Sequence, residues 1–523
     1  MKSPEELLRE FARDPARLAQ YACQLQEQLA EARSYIAELK QQLFGPKADK
    51  LTAEQEEQLQ HLSQEAQEQA QRPPPLSQEV LEPEGPAEEK EKSQPRRRRQ
   101  TPPVQLEVRH RVLEPDDKTC AHCHRDRPCL GQEITREYNY EPAKLVVQET
   151  VRPKYGTCPC GCATPGVSIA PLPPRLLPQS KLGLGLAVHL LLSRFDDHVA
   201  YYTLERIFRE RHGVVIPRQQ MVQWVEKIAF LLLAIYHLIW EELAAGDYLQ
   251  IDETPVKVLD PEVKGQAATG FLWFYSRPGG PVFLEFCDSR GRDSPEKRLR
   301  RFQGTIQTDA YEVYNSLQRQ RPATLRRLGC LSHARRRFHK ALQQSSTEAL
   351  WFIAQIRQLY RLEDELRAAP PAQRQAVRRQ KAPTLWRALK RRAEQLRAQP
   401  RFLPQSTLGK AVNYFLKEYT PLVGYLRDGR FEIDNNLVEN DVRPLAVGRR
   451  RWLFIGHPDA GWRSAVIYTI IQSCRRYGIN PQEYLTDVLS RLPDLTNHQV
   501  HPLLPSRWKP ISPRLAATEV PPA

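Results

Sequence analysis

The segment Tyr248-Leu-Gln-Ile-Asp252-Glu-Thr-Pro-Val256 decides how this chain is read. A short apolar run ends at a carboxylate, and residues Asp247 to Leu259 together read as one strand. The same pattern returns at Gly304-Thr-Ile-Gln-Thr-Asp309-Ala-Tyr311, where Thr305 to Asp309 reads as a second buried strand closed by a carboxylate. Between the two, Phe271 to Arg277 and Val282 to Phe286 read as strands and 293–302 as a helix. Leu325 to Cys330 is a fifth strand, and helix resumes from Ser332. Carboxylates at strand ends are what hard cations require: Mg²⁺ prefers carboxylate oxygens and keeps room for water and phosphate. Two such ions can clamp the attacking and leaving oxygens of a phosphoryl displacement.

A third acidic position stands in Asp434-Asn-Asn-Leu-Val-Glu439-Asn-Asp-Val-Arg443-Pro, which opens a helical pattern. Asp309 follows Asp252 by 57 residues, and Glu439 follows Asp309 by 130. The second gap is too long for one β–α step. Residues 343–426 fill it with helical periodicity (Trp351, Ile353, Ile356, Leu359, Leu362, Leu366, then Leu385, Trp386, Leu389, Leu396) and read as an inserted all-α domain. The core is thus expected in two pieces, 246–342 and 427–495, with 496–523 as a disordered tail.

A chain of 523 residues exceeds one hydrophobic core and implies several domains. Its 77 Lys and Arg against 62 Asp and Glu give a net charge of +15, which favours an anionic partner, most often nucleic acid. Charge alone equally fits a basic protein with no such partner. The longest apolar run, Ile228 to Trp240, contains His237, is too short to span a bilayer and reads as a buried helix. The polar N-terminus carries no signal-peptide pattern. The expectation is a cytoplasmic protein with no membrane partner.

Residues 16–44 carry two apolar series at heptad spacing, Leu18, Leu25, Ala32, Leu39 and Ala22, Leu29, Ile36, Leu43. We read 1–50 as a coiled coil that makes the chain a homo-oligomer through residues 18–43, against the alternative of an amphipathic helix packed on its own domain. Residues 51–103, rich in Gln, Glu and Pro and ending in Pro95-Arg-Arg-Arg-Arg99, read as a disordered linker. Residues 104–170 read as a zinc-ribbon-like domain: strands at Ile134–Tyr140 and Lys144–Val151 lie between Cys120-x-x-Cys123 and Cys158-Pro-Cys160-Gly-Cys162. Four thiolates close a tetrahedral structural Zn²⁺ site. Cys120, Cys123, Cys158 and Cys160 are the assigned ligands of one Zn²⁺; Cys162, His122 and His124 compete for places, and unligated buried thiols are the competing reading. Residues 180–245 read as helical, with Tyr201–His212, Gly213 to Pro217 and Arg218–Lys227 forming a helix-turn-helix or an ordinary helical hairpin.

The order of three strands, helix, strand, helix, strand resembles an RNase H-like core, in which the first and fourth strands are neighbours. The segment Asp434-Asn-Asn-x-x-Glu439-x-x-x-Arg443-Pro-x-x-x-Gly448-Arg-Arg-Arg-Trp-Leu-Phe454 resembles the C-terminal signature of the insertion-sequence-sixty-six family of bacterial transposases. Leu43-Phe-Gly-Pro-Lys47, Val151-Arg-Pro-Lys-Tyr155, Asp252-Glu-Thr-Pro-Val256, Asp309-Ala-Tyr-x-x-Tyr314-Asn, Cys330-Leu-Ser-His333-Ala-Arg and Tyr477-Gly-Ile-Asn-Pro481 are similar to that family as well. Departures are Asn440, where Arg is common, and Arg450-Arg451 in place of Lys-Asn. The resemblance implies an α+β multidomain protein built on an RNase H-like α/β core with an all-α insertion. It further implies a Mg²⁺-dependent transposase that cleaves and joins DNA at the ends of a mobile element, with Asp252, Asp309 and Glu439 holding two Mg²⁺, and accessory proteins from the same element as partners. Arg335, Arg336, Arg337, Arg443, Arg449, Arg450 and Arg451 are candidates for phosphate contacts. Cys330-x-x-His333 is expected to be structural, since one Cys and one His do not complete a zinc site. A DNA-binding protein with an inactive core and a nuclease without strand transfer are the alternatives.

Overall fold

The computed structural model describes residues 144–155, 168–260, 267–291, 293–343, 345–400 and 402–510, with Glu57 and Gln60 as isolated positions. The coiled coil, the linker, strand Ile134–Tyr140, all six clustered cysteines and residues 511–523 lie outside these. The chain divides into two units, Pro74–Thr150 and the remainder. In the first, the expected strand Lys144–Val151 is not found: residues 144–150 form no ladder and are mostly exposed, so Val146 and Val147 face outward. In the second, Lys154–Tyr155 (β1) pairs antiparallel with Ser168–Ile169 (β2).

Four helices follow, Leu184–Leu191 (α1), Tyr201–His212 (α2), Arg218–Leu231 (α3) and Leu233–Ala244 (α4). Gly213 ends α2 in the left-handed region at φ 67°, a conformation that costs glycine nothing, and α3 starts directly after Pro217. α3 buries Met221, Trp224, Val225, Ile228 and Ala229 and exposes Arg218, Gln219, Gln223 and Lys227. The apolar run Ile228–Trp240 is not one helix: α3 and α4 are bent by 49° at their junction, and each buries its apolar face. No single helix among the described residues is long and apolar enough to cross a membrane.

The sheet comprises Tyr248–Val258 (β3), Ala268–Ser276 (β4), Val282–Cys287 (β5), Gly304–Gln307 (β6) and Leu325–Leu328 (β7), in the order β5-β4-β3-β6-β7. β3–β4 and β4–β5 are antiparallel, whereas β3–β6 and β6–β7 are parallel. Asp293–Leu299 (α5) precedes β6, and Glu312–Gln320 (α6) crosses from β6 to β7. Gly304 begins β6 at φ 142°, where a Cβ would meet the Asp247 carbonyl oxygen at 2.3 Å; only glycine lets β6 approach β3 here.

Leu331–Ala341 (α7), Ser346–Glu365 (α8), Pro371–Arg397 (α9) and Thr407–Val423 (α10) follow. Residues 343–426 are helical as expected but do not form a core of their own. Phe352, Ile356, Leu359, Trp386, Leu389 and Phe415 share one apolar cluster with Leu328 of β7 and with Leu331 and Phe338 of α7. The Phe338 and Phe352 rings stack at 4.2 Å. The insertion therefore buttresses the sheet edge next to Asp309. Asn436–Trp452 (α11), Gly461–Arg476 (α12) and Pro481–Arg491 (α13) are the last α-helices among the described residues. α12 covers the edge strand β5: Ser473 Oγ accepts from Val282 N at 3.1 Å, and Thr469 Oγ1 accepts from Leu284 N at 2.9 Å. The expected disordered tail is corrected for residues 496–510. Val500, Leu503 and Leu504 are buried, Tyr484 donates to the Leu503 carbonyl at 2.5 Å, and Trp508 Nε1 donates to Asp487 at 2.7 Å.

Candidate active site

The parallel register between β3 and β6 pairs Tyr248 with Thr305 and Gln250 with Gln307. Extended by two residues, it sets Asp252 level with Asp309, just beyond the last paired position. Both aspartates are half-buried. Asp309 Oδ1 accepts from Tyr311 N at 2.9 Å, a short turn that fixes the carboxylate ahead of α6. Glu439 lies in the first turn of α11, where the helix dipole favours a negative charge.

The loop ahead of α11 is fastened to the sheet by polar groups inside it. Gln250 and Gln307 are 0% exposed. Gln250 Nε2 donates to Gln307 Oε1 at 2.9 Å and to the Asp434 carbonyl at 3.1 Å. Gln307 Nε2 donates to the carbonyls of Glu432 at 2.8 Å and Gly329 at 3.1 Å. The Tyr248 hydroxyl donates to Gln307 Oε1 and accepts from Glu432 N. Asn435 is buried, and its Nδ2 donates to the Ile251 carbonyl at 3.1 Å, one residue before Asp252. The amide nitrogens of Gln250, Gln307 and Asn435 thus donate to the backbone they position, which fixes the register of α11 against β3. Sequence reading missed these residues. The signal was present: Gln250-x-Asp252 and Gln307-x-Asp309 repeat one pattern, with a polar side chain on the buried face of two core strands.

The carboxylates act on one another. Burial, then Glu253, Glu439 and Asp309, push the Asp252 carboxyl well above its ordinary range. Glu253 is raised by burial and by Asp309, although Arg290 Nη2 donates to it at 2.6 Å and Tyr314 at 3.2 Å. Both oxygens of Glu439 have partners on α7 or at the residue before it: Arg336 pairs with Oε2, and Oε1 lies 3.6 Å from His333 Nδ1 and 4.0 Å from Cys330 Sγ. The other acidic residues near Glu439 are engaged elsewhere. Asp434 accepts from Tyr360 at 2.6 Å and from Asn436, and Asp441 pairs with Arg476.

The arginines divide. Arg443 and Arg450 are exposed on α11, as are Arg451 and, on α7, Arg337, whose guanidinium lies 4.1 Å from the Tyr414 ring. Arg335 lies over Tyr360 at 5.2 Å, and Arg449 donates to Thr254 Oγ1 at 2.8 Å and to the Pro255 carbonyl. Arg336 sits on Glu439 itself, a role its position in an arginine run did not reveal. The cysteines assigned to zinc, Cys120, Cys123, Cys158 and Cys160, lie outside the described residues.

Comparison with known proteins bears on what such a site does. The family described as "Transposase IS66 family" matches residues 179–463, and "IS66 C-terminal element" matches residues 469–506. The uncharacterized protein y4jD of Sinorhizobium fredii is 30% identical over 413 residues, covering 76% of this chain and 80% of that protein. The uncharacterized protein y4qI of the same organism is 29% identical over 424 residues, covering 77% and 76% respectively. Neither name assigns an activity.

Proposed function

Because the chain belongs to the IS66 family of transposases, we propose that it cleaves DNA at the ends of a mobile element and joins the freed 3′ ends to target DNA. The observation that carries the reading is the arrangement of Asp252, Asp309 and Glu439. Asp252, midway along β3, stands level with Asp309, two residues past the end of β6, and the glutamate is near enough to raise the Asp252 carboxyl. The strand order β5-β4-β3-β6-β7, with its single antiparallel-to-parallel switch at β3, supports an RNase H-like core.

The donor set suits a hard cation. It is all carboxylate oxygen, and burial, then repulsion from neighbouring carboxylates, leaves Asp252 reluctant to ionise without a positive charge beside it. Asp252, Asp309 and Glu439 would hold Mg²⁺. When bound, two such ions supply activation of the attacking oxygen and stabilisation of the leaving one. The protein's own contribution is position. The Gln250–Gln307 pair and Asn435 hold the start of α11 against β3, which keeps Glu439 near enough to act on Asp252. Arg336 offsets the charge on Glu439. Arg443 and Arg450, exposed on the helix that carries Glu439, are available to backbone phosphates, with α2 and α3 as a further DNA-binding element.

The test is a cleavage and joining assay on labelled duplexes carrying the element's own ends. The reading expects Mg²⁺-dependent 3′-end release and joined products, lost in Asp309→Asn with DNA binding kept. Cleavage without joining would indicate a nuclease, and binding without either would indicate an inactive core.

A further inference from the structure

We propose that Cys330, His333 and Glu439 form a second metal site, selective for Zn²⁺-class ions, that withholds Glu439 from the magnesium-binding carboxylates. One ligand atom from each of the three lies within 4.8 Å of the others. Cys330 is the residue directly before α7, His333 is in the first turn of that helix, and Glu439 comes from the first turn of α11. In a tetrahedral zinc site, bond lengths of about 2.3 Å to sulfur, 2.0 Å to nitrogen and 2.0 Å to oxygen put the ligand edges at about 3.5 Å for S···O and 3.3 Å for N···O. The observed edges are 4.0 Å for Cys330 Sγ to Glu439 Oε1 and 3.6 Å for His333 Nδ1 to the same oxygen. The two edges to Glu439 Oε1 close with movements of about 0.5 and 0.3 Å, and the third, from Cys330 to His333, lies within 4.8 Å.

Two further observations point to a ligand. His333 Nδ1 is shut off from solvent and has no hydrogen-bond partner, although it lies 3.6 Å from Glu439 Oε1. Cys330 Sγ accepts from Asn435 N at 3.3 Å, the kind of backbone donor that steadies a metal-bound thiolate. The mixed S, N and O set suits a borderline-soft ion over Mg²⁺, which takes oxygen alone. The sequence argument that one Cys and one His cannot complete a site omitted the third ligand, which arrives from a helix 106 residues after His333. Three protein ligands leave the fourth position for water. With Oε1 on zinc and Oε2 on Arg336, neither oxygen of Glu439 is free for magnesium. The braking role rests on the assignment of Glu439 proposed above; zinc binding itself does not.

The experiment is zinc stoichiometry of the full chain by elemental analysis after dialysis against Zn²⁺ alone, on wild type, Cys330→Ser, His333→Gln and Glu439→Gln. Each variant is expected to carry one zinc ion fewer per chain than wild type, whatever the N-terminal cysteines bind. Co²⁺ in place of Zn²⁺ should lose thiolate charge-transfer intensity in Cys330→Ser. His333 is half-buried, so His333→Gln serves if Cys330→Ser does not fold. Wild-type stoichiometry in both His333→Gln and Glu439→Gln overturns the site. Mg²⁺-dependent nicking should fall several-fold on adding equimolar Zn²⁺ to wild type, while the His333→Gln rate is the same with and without zinc. Equal inhibition of the two refutes the brake while leaving the site, and absence of any nicking refutes the transposase reading while leaving the stoichiometry to stand.

Discussion

Arg327→Met is the perturbation whose cost follows most directly from the structure. Arg327 on β7 and Glu418 on α10 pair while 1% and 2% exposed, and Arg327 Nη1 also donates to the Asp309 carbonyl at 3.1 Å. The substitution keeps the length of the side chain but strands a carboxylate in the core. Breaking a buried pair in this way costs about 3–5 kcal/mol. An independent bound comes from protonation, since a stranded carboxylate can always take up a proton instead of staying charged. For a carboxyl with an ordinary value near 4.3, that costs about 3.7 kcal/mol at pH 7. The lost hydrogen bond to Asp309 adds about 1 kcal/mol. The expected loss is therefore about 4–5 kcal/mol at pH 7, shrinking by about 1.4 kcal/mol per pH unit as pH falls, because the folded variant then holds one proton more than the unfolded chain. The double variant Arg327→Met with Glu418→Leu removes both charges and should recover most of the loss. Urea unfolding of the three proteins at pH 7 and pH 5, followed by tryptophan fluorescence, measures this. A loss below about 1 kcal/mol at pH 7, or one independent of pH, would refute the reasoning.

Asp252→Asn should stabilise the metal-free protein at pH 7 while abolishing cleavage. The folded-state carboxyl of Asp252 is raised, so its ionisation opposes folding as pH climbs above its ordinary value of 3.8, and the gain should vanish below about pH 4; differential scanning calorimetry across that range checks it. Cys120→Ser or Cys123→Ser should each release one zinc ion per chain with the sheet still folded, as judged by elemental analysis and circular dichroism. Deleting residues 1–50 should lower the oligomeric order, because Leu25, Leu29, Ile36 and Leu39 would otherwise stand in water; light scattering that finds the full chain monomeric at micromolar concentration contradicts the coiled coil.

β4 and β5 were legible as short, largely apolar runs rich in aromatic and β-branched residues, whereas β3, β6 and β7 mix polar or charged residues with their apolar ones. The level placement of Asp252 and Asp309 follows from parallel pairing, which the strand order implied. Glu439 could be named only through family resemblance, since 130 residues separate it from Asp309. What brings it back is a network of buried amides and backbone carbonyls with no periodicity to betray it. The same limit hid the role of the insertion. Helical spacing marks Phe352, Trp386 and Phe415 as core residues, but it does not say that their partners include Leu328 and Phe338, outside the insertion. Lys144–Val151 misled because its valines suit a strand, yet they have no ladder to join in the described residues. The tail misled in the opposite sense: its few apolar residues, Val500, Leu503 and Leu504, are isolated in sequence and gain burial only against the rest of the fold.

The central claim is that Asp252, Asp309 and Glu439 share bound metal. Replacing Mg²⁺ with Fe²⁺ in the full chain and generating hydroxyl radicals at the bound iron cuts the polypeptide only beside the ligands, and the fragments can be mapped by mass spectrometry. The account predicts three clusters of cuts, flanking residues 252, 309 and 439, all suppressed together by excess Mg²⁺ and all lost in Asp309→Asn. Cuts near only one of the three, or a pattern that Mg²⁺ does not suppress, would contradict it.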